Sequence, residues 1–501
     1  MIFLRRLLDL PLSVILMGIG CGAMYLPAAY ALALMDFPLA RAFFYSGNVL
    51  LILTAMVALA TSTYRPRDAA QGQLVSVVVA YLLLPILFAV PLHQAVPGLR
   101  FTDAWFEMLS SFTTTGSTIF DTPALVARPV HLWRALVGWM GGFFILLVAV
   151  SVFAPRGLGG VELLGARISG ATNGRAQNVR IAEPSLRMAH FCNVLFPIYA
   201  GLTGVMWVGL LIAGDTALIA LCHAMGTLSS SGISPVVGLA GTASGVAGEA
   251  IVFLVMGFAV TRGLWPGARL LNPSFRILRD PELQLAAGIV AFATVVLLLH
   301  HGVWAADQSH LQSVSGIAKA IWGAAFTTLS FLTTTGFQSA DWMDGGSPGL
   351  VLLGLAMIGG GVATTAGGVK LLRVYALLRH GERELERIVH PHSIGGHGPV
   401  ARQLRREGAY LAWIFFMVFG LSVAAITAAL TLSGLGLEDA LVLCIASLTN
   451  TGQLAAAVNE SAITYSKLGG VPMGILGFAM ILGRLEILAV FAVLTPYGWR
   501  R

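Results

Sequence analysis

Four short polar runs, each closed by a single glycine, are the residues of this sequence best suited to bind an ion. They are Thr-Thr-Thr-Gly116, Ser-Ser-Ser-Gly232, Thr-Thr-Thr-Gly336 and Thr-Asn-Thr-Gly452. The glycines lie 116, 104 and 116 residues apart, and each run ends a half-apolar segment too short to cross a bilayer. Because isolated helix ends would not recur at so regular a period, the spacing predicts an internal repeat.

The residue types in these runs predict neutral oxygen ligands. Glycine lets successive carbonyl groups turn the same way, and Ser or Thr hydroxyls can bond neighbouring backbone or add oxygens. None of the runs contains a carboxylate. Such oxygens suit a weakly hydrated monovalent cation, K⁺ or Na⁺, better than Ca²⁺ or Mg²⁺. We therefore predict a cation filter formed by Thr114, Thr115, Gly116, Ser230, Ser231, Gly232, Thr334, Thr335, Gly336, Asn450, Thr451 and Gly452.

Acidic residues near the runs predict a negative vestibule, which would concentrate cations at the mouth of the filter. They are Asp103, Glu107, Asp121, Asp215, Asp307, Asp341, Asp344, Glu438, Asp439 and Glu460.

A glycine-rich run interrupts an apolar segment at 359–368, Gly-Gly-Gly-Val-Ala-Thr-Thr-Ala-Gly-Gly. Each glycine inside a helix costs about 1 kcal/mol relative to alanine, so the run predicts a broken helix beneath the filter. A seam of small residues between packed helices is the alternative. A phosphate-binding loop does not fit, because Lys370 is followed by Leu371 instead of Ser or Thr.

Arg484 lies inside an apolar segment, where a charged side chain is costly and usually faces the protein interior. Glu486 is two residues away, and residues at that separation do not face each other on a helix. We therefore predict that Arg484 projects into the pore as an electrostatic barrier to cations.

The composition predicts a membrane protein that positions these residues on helices. Of 501 residues, 57% are hydrophobic and 11% are charged, with a mean hydropathy of +0.82, whereas soluble domains have about 25% charged residues. Ten segments approach the length of about 20 apolar residues that a spanning helix needs. They are 11–35, 41–61, 75–96, 132–153, 189–213, 247–262, 283–303, 349–372, 408–432 and 470–495.

The basic residues predict the topology. Of the 30 Lys and Arg residues, 23 fall in one alternating set of segments, 1–10, 62–74, 154–188, 262–282, 370–407 and 496–501. The positive-inside rule assigns this set, and both termini, to the cytoplasm. The basic balance therefore indicates topology and contact with anionic membrane lipid, and no nucleic acid is needed to explain it.

Spans and runs combine into a predicted all-α integral membrane protein with about ten spans. Its unit is helix, short pore helix, glycine turn and helix, repeated four times around a pseudo-fourfold ion pore. The predicted boundaries are 1–70 for two extra N-terminal transmembrane helices, then 71–160, 185–281, 282–380 and 400–501 for the four repeats.

These features resemble a superfamily of K⁺ transporters that includes TrkH and KtrB, whose members resemble a K⁺ channel pore joined into one chain. The two extra N-terminal spans, the segment 359–370 and the closing Gly483-Arg-Leu-Glu-Ile487 are similar to the TrkH branch in particular. The resemblance covers essentially the whole chain. A glycine in every filter matches the K⁺-selective members, while the Ser-Ser-Ser-Gly and Thr-Asn-Thr-Gly runs are mild departures that leave the exact selectivity open.

The resemblance implies K⁺ uptake across the bacterial cytoplasmic (inner) membrane, with K⁺ bound at the filter and no tightly bound cofactor. It also implies a homodimer that works with a cytoplasmic, TrkA-like nucleotide-binding regulatory subunit. In the family an intramembrane loop obstructs the pore and moves on gating, with a pore arginine just below the filter. The corresponding gate residues are Gly359, Gly360, Gly361, Thr364, Thr365, Gly367, Gly368, Lys370 and Arg484.

Two other functions are weighed against the pore. The first is an H⁺- or Na⁺-coupled secondary cation symporter, with Na⁺ also transported. Inverted repeats, which are typical of such transporters, would place the glycine turns on alternate sides of the membrane, whereas all four predicted turns lie outside. Ion coupling within the pore stays open. An intramembrane protease is suggested by Gly226-Thr-Leu-Ser-Ser-Ser-Gly232, but it needs a facing histidine and leaves the other three runs unexplained. We therefore expect a protein that is not an enzyme.

Overall fold

The computed structural model describes residues 10–62, 69–156, 184–236, 238–239, 242–265, 280–304, 314–339, 349–390, 409–458 and 463–487. Within these ranges the regular structure is helical and no strand is present, which confirms the all-α class. Seven helices of this described part are long and apolar enough to cross a membrane. They are Leu12–Ala33, Phe37–Thr61, Gln71–Ala95, Arg128–Phe153, Leu186–Ile212, Pro281–His300 and Ala409–Leu432.

The other three predicted spans contain shorter helices. They are Gly245–Val260, Gly349–Ile358 and Gly470–Arg484, of 16, 10 and 15 residues. The second ends because Gly359 adopts a positive φ of 72°, and Glu486, with a φ of 58°, follows the third closely. The count of ten spans stays a prediction, and the part of 470–495 beyond residue 487 lies outside the described residues.

Two helical segments precede the repeats. The first is divided at Met24 into α1 (Leu12–Ala23) and α2 (Tyr25–Ala33). The second, α3 (Phe37–Thr61), begins after Asp36, whose carboxylate accepts a hydrogen bond from Leu39 N at 3.2 Å. A side chain that accepts from a first-turn N–H satisfies a donor that the helix itself leaves open.

Each later quarter of the chain has a long helix, then a helix of 12–19 residues that ends at a polar run and is called the short helix below, and then a further helix. The first is α4 (Ala69–Ala95), α5 (Phe101–Phe112) and α6 (Arg128–Val148), and the second is α7 (Pro184–Ile212), α8 (Ala217–Leu228) and α9 (Gly245–Val260). The third is α10 (Pro281–Trp304), α11 (Val314–Leu332) and α12 (Gly349–Ile358), which is followed by α13 (Leu371–Val389). The fourth is α14 (Ala409–Leu432), α15 (Leu437–Leu448), α16 (Leu454–Val458) and α17 (Gly470–Arg484). The repeat boundaries remain predictions.

The short helices α5, α8, α11 and α15 occupy the interior. Every residue from Glu107 to Phe112 is buried, and so are the last turns of the other three. Around α5 the packing is aromatic: Phe112 lies 5.1 Å from Tyr81 and 5.8 Å from Phe88, measured between ring centroids. Tightly packed rings hold the C-terminal end of the helix, and with it the polar run, in one position.

Candidate functional site

The four predicted filter runs have the same backbone turn at the end of their short helices. The residue two before each glycine has a positive φ, 57° at Thr114, 52° at Ser230, 58° at Thr334 and 54° at Asn450. The next N–H then bonds back to the helix at 2.8–2.9 Å, to Ser110 O, Gly226 O, Ser330 O and Ala446 O respectively. A positive φ at a residue other than glycine costs roughly 1–3 kcal/mol, so its recurrence at four matching positions identifies a common structure.

The four runs contact one another in succession. A Cβ added at Gly116 would overlap Ser231 O, one at Gly232 would overlap Thr335 O, and one at Gly452 would overlap Ser117 N. At Gly336 the added atom would lie 2.9 Å from the Cβ of Gln453. The first run thus contacts the second, and the second contacts the third. The third run contacts Gln453, which follows the fourth run, and the fourth run contacts the residue that follows the first. Glycine is needed because a side chain would occupy the position of the neighbouring backbone.

A pair of hydroxyl groups spans each run and was missed by the sequence prediction. The residue before the positive-φ position bonds the one after it, as in Thr113 Oγ1 to Thr115 Oγ1 at 2.8 Å. The other pairs are Ser229–Ser231 at 2.9 Å, Thr333–Thr335 at 3.1 Å and Thr449–Thr451 at 3.2 Å. The sequence carried a signal for this, because all four runs have Ser or Thr in their first and third positions.

The middle residue of three runs contacts other elements. Ser230 Oγ donates to Thr365 O at 2.7 Å, and Thr334 Oγ1 accepts from Gly367 N at 2.8 Å. Asn450 Nδ2 donates to Met480 O of α17 at 3.1 Å and to Thr115 Oγ1 at 2.9 Å. The second and third runs are thus hydrogen-bonded to the segment 359–370, and the fourth is hydrogen-bonded to α17.

The fourth run differs from the others at its glycine. Gly116, Gly232 and Gly336 have positive φ values, and their N–H groups bond back to their own short helices at 3.2–3.4 Å. Gly452 is not among the residues with positive φ, and its N–H donates to Thr115 O at 2.6 Å. The four runs therefore share a turn but differ in detail at the glycine.

The segment 359–370 is a packed loop that contacts the second, third and fourth runs. Positive φ values at Gly359, Ala363, Gly368 and Lys370 exclude a continuous helix. Added Cβ atoms at Gly360 and Gly361 would overlap the backbone of α9, and one at Gly367 would overlap Thr449 O. The predicted broken helix is confirmed, and its glycines serve as points of close backbone contact, so the alternative of a small-residue seam describes part of the same loop.

Side-chain contacts of the same loop involve its two threonines and its lysine. Thr364 Oγ1 donates to Ala259 O at 3.0 Å, and Thr365 Oγ1 donates to Leu228 O at 3.2 Å. The Lys370 ammonium group donates to Ala366 O within the loop. These bonds join the loop to α9 and to the second short helix.

Arg484 contacts this loop from the end of α17. Its Nη1 donates to Thr365 O at 2.7 Å, so Thr365 O accepts from both Arg484 and Ser230, and the arginine is only 4% exposed. Within the described residues its Nε and Nη2 have no hydrogen-bond partner. Glu486 pairs with Arg373 of α13 at 2.7 Å, and Arg373 is fully buried. A cavity bordered by Gly367, Lys370, Arg484 and Glu486 lies beside the loop.

The predicted vestibule needs correction at two of its acidic residues. Glu107 is 1% exposed, pairs with Arg134 at 2.5 Å and accepts from Ile119 N at 2.9 Å. Asp215 is 5% exposed and accepts from Ser244 N at 3.0 Å. Both carboxylates are bonded to partners within the protein, as buried carboxylates require, and do not face solvent in a vestibule. Asp307, Asp341, Asp344 and Glu460 lie outside the described residues.

In the part of the chain that the structure describes, the serines of the second run lack the histidine contact that the protease interpretation requires. Among the described residues, neither Ser230 nor Ser231 bonds a histidine, and His223 bonds Ser234 at 2.7 Å. No group of three or more His, Cys, Asp and Glu side chains in that part of the chain could hold a metal ion. The polar atoms available at the four runs are backbone carbonyls, hydroxyls and amides.

The chain is similar to known transport proteins along nearly its whole length. The family model TrkH, described as cation transport protein, matches residues 274–496. The potassium uptake protein TrkH of Vibrio parahaemolyticus is 30% identical over 422 residues, 81% of each chain, and that of Escherichia coli K12 is 28% identical over 500 residues, 96% of each. The crystal structure of the potassium transporter TrkH from Vibrio parahaemolyticus matches with a TM-score of 0.79 and 25% identity, covering 99% of this chain and 100% of that one. The chain therefore belongs to the TrkH family of cation transport proteins.

Proposed function

We propose that the chain carries out K⁺ uptake across the bacterial cytoplasmic membrane, through a path lined by the four polar runs. The observation that carries this proposal is that four turned segments, one from each quarter, lie in mutual contact. Irregular backbone at membrane depth is tolerated where protein buries it or where it lines a water-filled path. The relatives' names, potassium uptake and potassium transporter, support K⁺ as the ion.

In this proposal the carbonyl groups of the runs replace the hydration shell of the entering ion. The hydroxyl pairs, such as Thr113–Thr115, hold the turns in shape from behind. Short helices with their C-terminal ends at the runs add partial negative charge there, which favours a cation. No carboxylate is required at the binding position, which suits a monovalent ion.

Beneath the runs, the loop 359–370 and Arg484 act as the gate. The loop is bonded to the second run through Ser230 and to the third through Thr334, so it lies across the continuation of the path. The hydrogen bond from Arg484 to Thr365 O holds the loop in this position and adds a positive charge that repels cations. Opening requires that this bond break and the loop move aside.

Control by a TrkA-like nucleotide-binding subunit and assembly as a homodimer belong to the same proposal. The helix α13 starts where the gate loop ends, and its apolar side chains Leu378, Leu385, Ile388 and Val389 are 52–78% exposed. Exposed apolar residues of this kind are typical of a contact surface. A partner that moves α13 would pull directly on the loop. Light scattering of the detergent-purified protein measures the dimer, and flux with and without nucleotide in native vesicles tests the regulator.

The main test is uptake of ⁸⁶Rb⁺ into proteoliposomes in competition with Na⁺. In the wild type, K⁺ should compete strongly and Na⁺ weakly. Gly336→Ser should lower this discrimination by up to about fivefold to thirtyfold, the ratio reached when a strain of about 1–2 kcal/mol, from a side chain at positive φ, falls on the K⁺-bound form alone. Gly420→Ser is the matched control, because a Cβ there has no neighbour within 4 Å.

Equal competition by Na⁺ and K⁺ in the wild type would refute K⁺ selectivity. The alternative of H⁺ or Na⁺ coupling predicts uptake driven by an imposed gradient of that ion at zero membrane voltage. A pore predicts uptake that follows the K⁺ gradient and the voltage alone.

A further inference from the structure

Gln453, the residue after the fourth glycine, extends its carboxamide between the other three runs. Its Nε2 donates to Gly232 O at 2.6 Å and to Gly116 O at 3.4 Å. Cβ atoms added at Gly116 and Gly232 would each lie 2.9 Å from this nitrogen, and one added at Gly336 would lie 3.1 Å from Gln453 Oε1. One side chain of the fourth quarter therefore contacts the glycines of the first, second and third.

The backbone at Gly452 adds a donor of the same kind. Its N–H bonds Thr115 O at 2.6 Å, so three carbonyl oxygens of the first two runs face N–H donors from the fourth. Tyr465 Oη donates to Gly452 O at 3.2 Å and is 5% exposed, which holds the start of this segment in place. Gln453 as a whole is only partly buried, and its amide nitrogen is hydrogen-bonded to these carbonyls.

These contacts set an amide against a cation for the same oxygens. A carbonyl oxygen that accepts a hydrogen bond points at the N–H donor, so a cation that binds the same oxygen must displace that donor. A neutral hydrogen bond has only a modest net strength, so displacement by an ion is feasible. The side chain is tethered beside its acceptors, and tethering raises its effective concentration there.

We infer that Gln453 is a tethered competitor of the transported cation at the outer carbonyls of the filter, and that it sets the external K⁺ concentration at which uptake is half-maximal. The inference rests on the proposed function, since it requires that K⁺ pass the runs. When external K⁺ is low, the amide occupies the carbonyls; when it is high, the ion replaces the amide and the side chain turns away.

The opposite role for the same residue gives the opposite sign. Gln453 Oε1 has no hydrogen-bond partner among the described residues, so it could instead act as an additional ligand of the cation. Loss of a competitor lowers the half-saturating K⁺ concentration, whereas loss of a ligand raises it. The direction of the change therefore separates the two.

The experiment measures initial ⁸⁶Rb⁺ uptake by proteoliposomes across a range of external K⁺ for the wild type, Gln453→Ala and Gln453→Asn. Asparagine keeps the carboxamide but is one methylene too short to reach both carbonyls, and it serves if the alanine variant folds poorly. Both variants should lower the half-saturating concentration about fivefold, the worth of one neutral hydrogen bond, with little change in maximal uptake. Gln94→Ala is the matched control, because that glutamine bonds Ser46 away from the runs.

A half-saturating concentration that is unchanged or raised in both variants would overturn the inference, as would a fall in maximal uptake alone. A wild type without saturable K⁺ uptake would instead refute the proposed function. Size-exclusion profiles of the purified variants establish that a change in uptake does not come from misfolded protein.

Discussion

Replacing Arg484 with alanine should increase K⁺ uptake. The arginine is only 4% exposed, and its Nη1 donates at 2.7 Å to Thr365 O in the middle of the loop 359–370, the proposed gate. The same carbonyl accepts from Ser230 of the second run. Alanine removes one of the two hydrogen bonds that Thr365 O accepts, together with the positive charge beside the cavity.

The size of the effect follows from the hydrogen bond. A bond with a charged donor contributes about 1.5–3 kcal/mol, and each 1.4 kcal/mol is a factor of ten in an equilibrium constant. If the bond exists only while the loop obstructs the path, its loss raises the ratio of open to closed protein about tenfold to a hundredfold. Uptake should rise by up to that factor, limited by the rate of the open pore.

The assay is initial ⁸⁶Rb⁺ uptake per unit of reconstituted protein for the wild type and three Arg484 variants. Arg484→Gln removes the charge but keeps a hydrogen-bond donor. An increase in uptake between those of the wild type and Arg484→Ala would therefore indicate that the hydrogen bond holds the loop closed. An equal gain in the glutamine and alanine variants indicates that the charge is the barrier. Arg484→Lys keeps the charge and should show the smallest gain. Arg41→Ala is the control, because Arg41 is exposed and bonds only Phe37 O among the contacts described.

Uptake that is unchanged or reduced in Arg484→Ala, with normal protein yield and size-exclusion profile, would refute this reasoning. It would mean that the contact with Thr365 stabilises the fold without obstructing the path.

Two predictions concern stability, measured as the thermal midpoint in detergent. Glu486→Gln removes the carboxylate that pairs with buried Arg373 and should lower the free energy of unfolding by about 3–5 kcal/mol. The control Glu382→Gln, in the exposed pair with Arg379, should lower it by at most about 1 kcal/mol. Equal thermal midpoints for the two variants would contradict a stabilising role of the Glu486–Arg373 pair. Gly141→Ala should cost about 1–3 kcal/mol, because the added methyl would overlap the Phe112 backbone, while Gly204→Ala, with open space around it, should be tolerated. A thermal midpoint of Gly141→Ala equal to that of the wild type would show that α6 can move away from α5 without loss of stability.

Much of the fold was predictable because its signals are local. Apolar length predicts spanning helices, and seven of the ten predicted segments contain helices of that length. The interruption at 359–368 was predictable for the same reason, since a run of glycines disfavours a helix wherever it occurs. The helices in the other three segments are shorter, and in 349–372 the helix ends at the positive φ of Gly359, which hydropathy does not register.

The charged residues were less predictable because their partners are distant in sequence. Glu107 looked like a vestibule residue, yet it pairs with Arg134, 27 residues later. Glu486 has Arg484 as its near neighbour, yet its partner is Arg373, 113 residues earlier. The close approach of α6 to the first two polar runs had a visible signal in Gly138, Gly141 and Gly142, spaced at three and four residues, but only the structure identifies what they touch.

The sequence by itself determined that four matching runs exist, that each has one glycine, and that the residues around it are small and polar. Those properties follow from local steric limits, since only glycine lets neighbouring backbones approach so closely. The tertiary structure decided what each position does: the first and third hydroxyls pair within a run, while in the second, third and fourth runs the middle side chain reaches the loop 359–370 or α17. It also decided that the fourth run differs, with Gln453 lying against the other three. Contacts between segments more than a hundred residues apart depend on how the helices pack, and no local pattern encodes that.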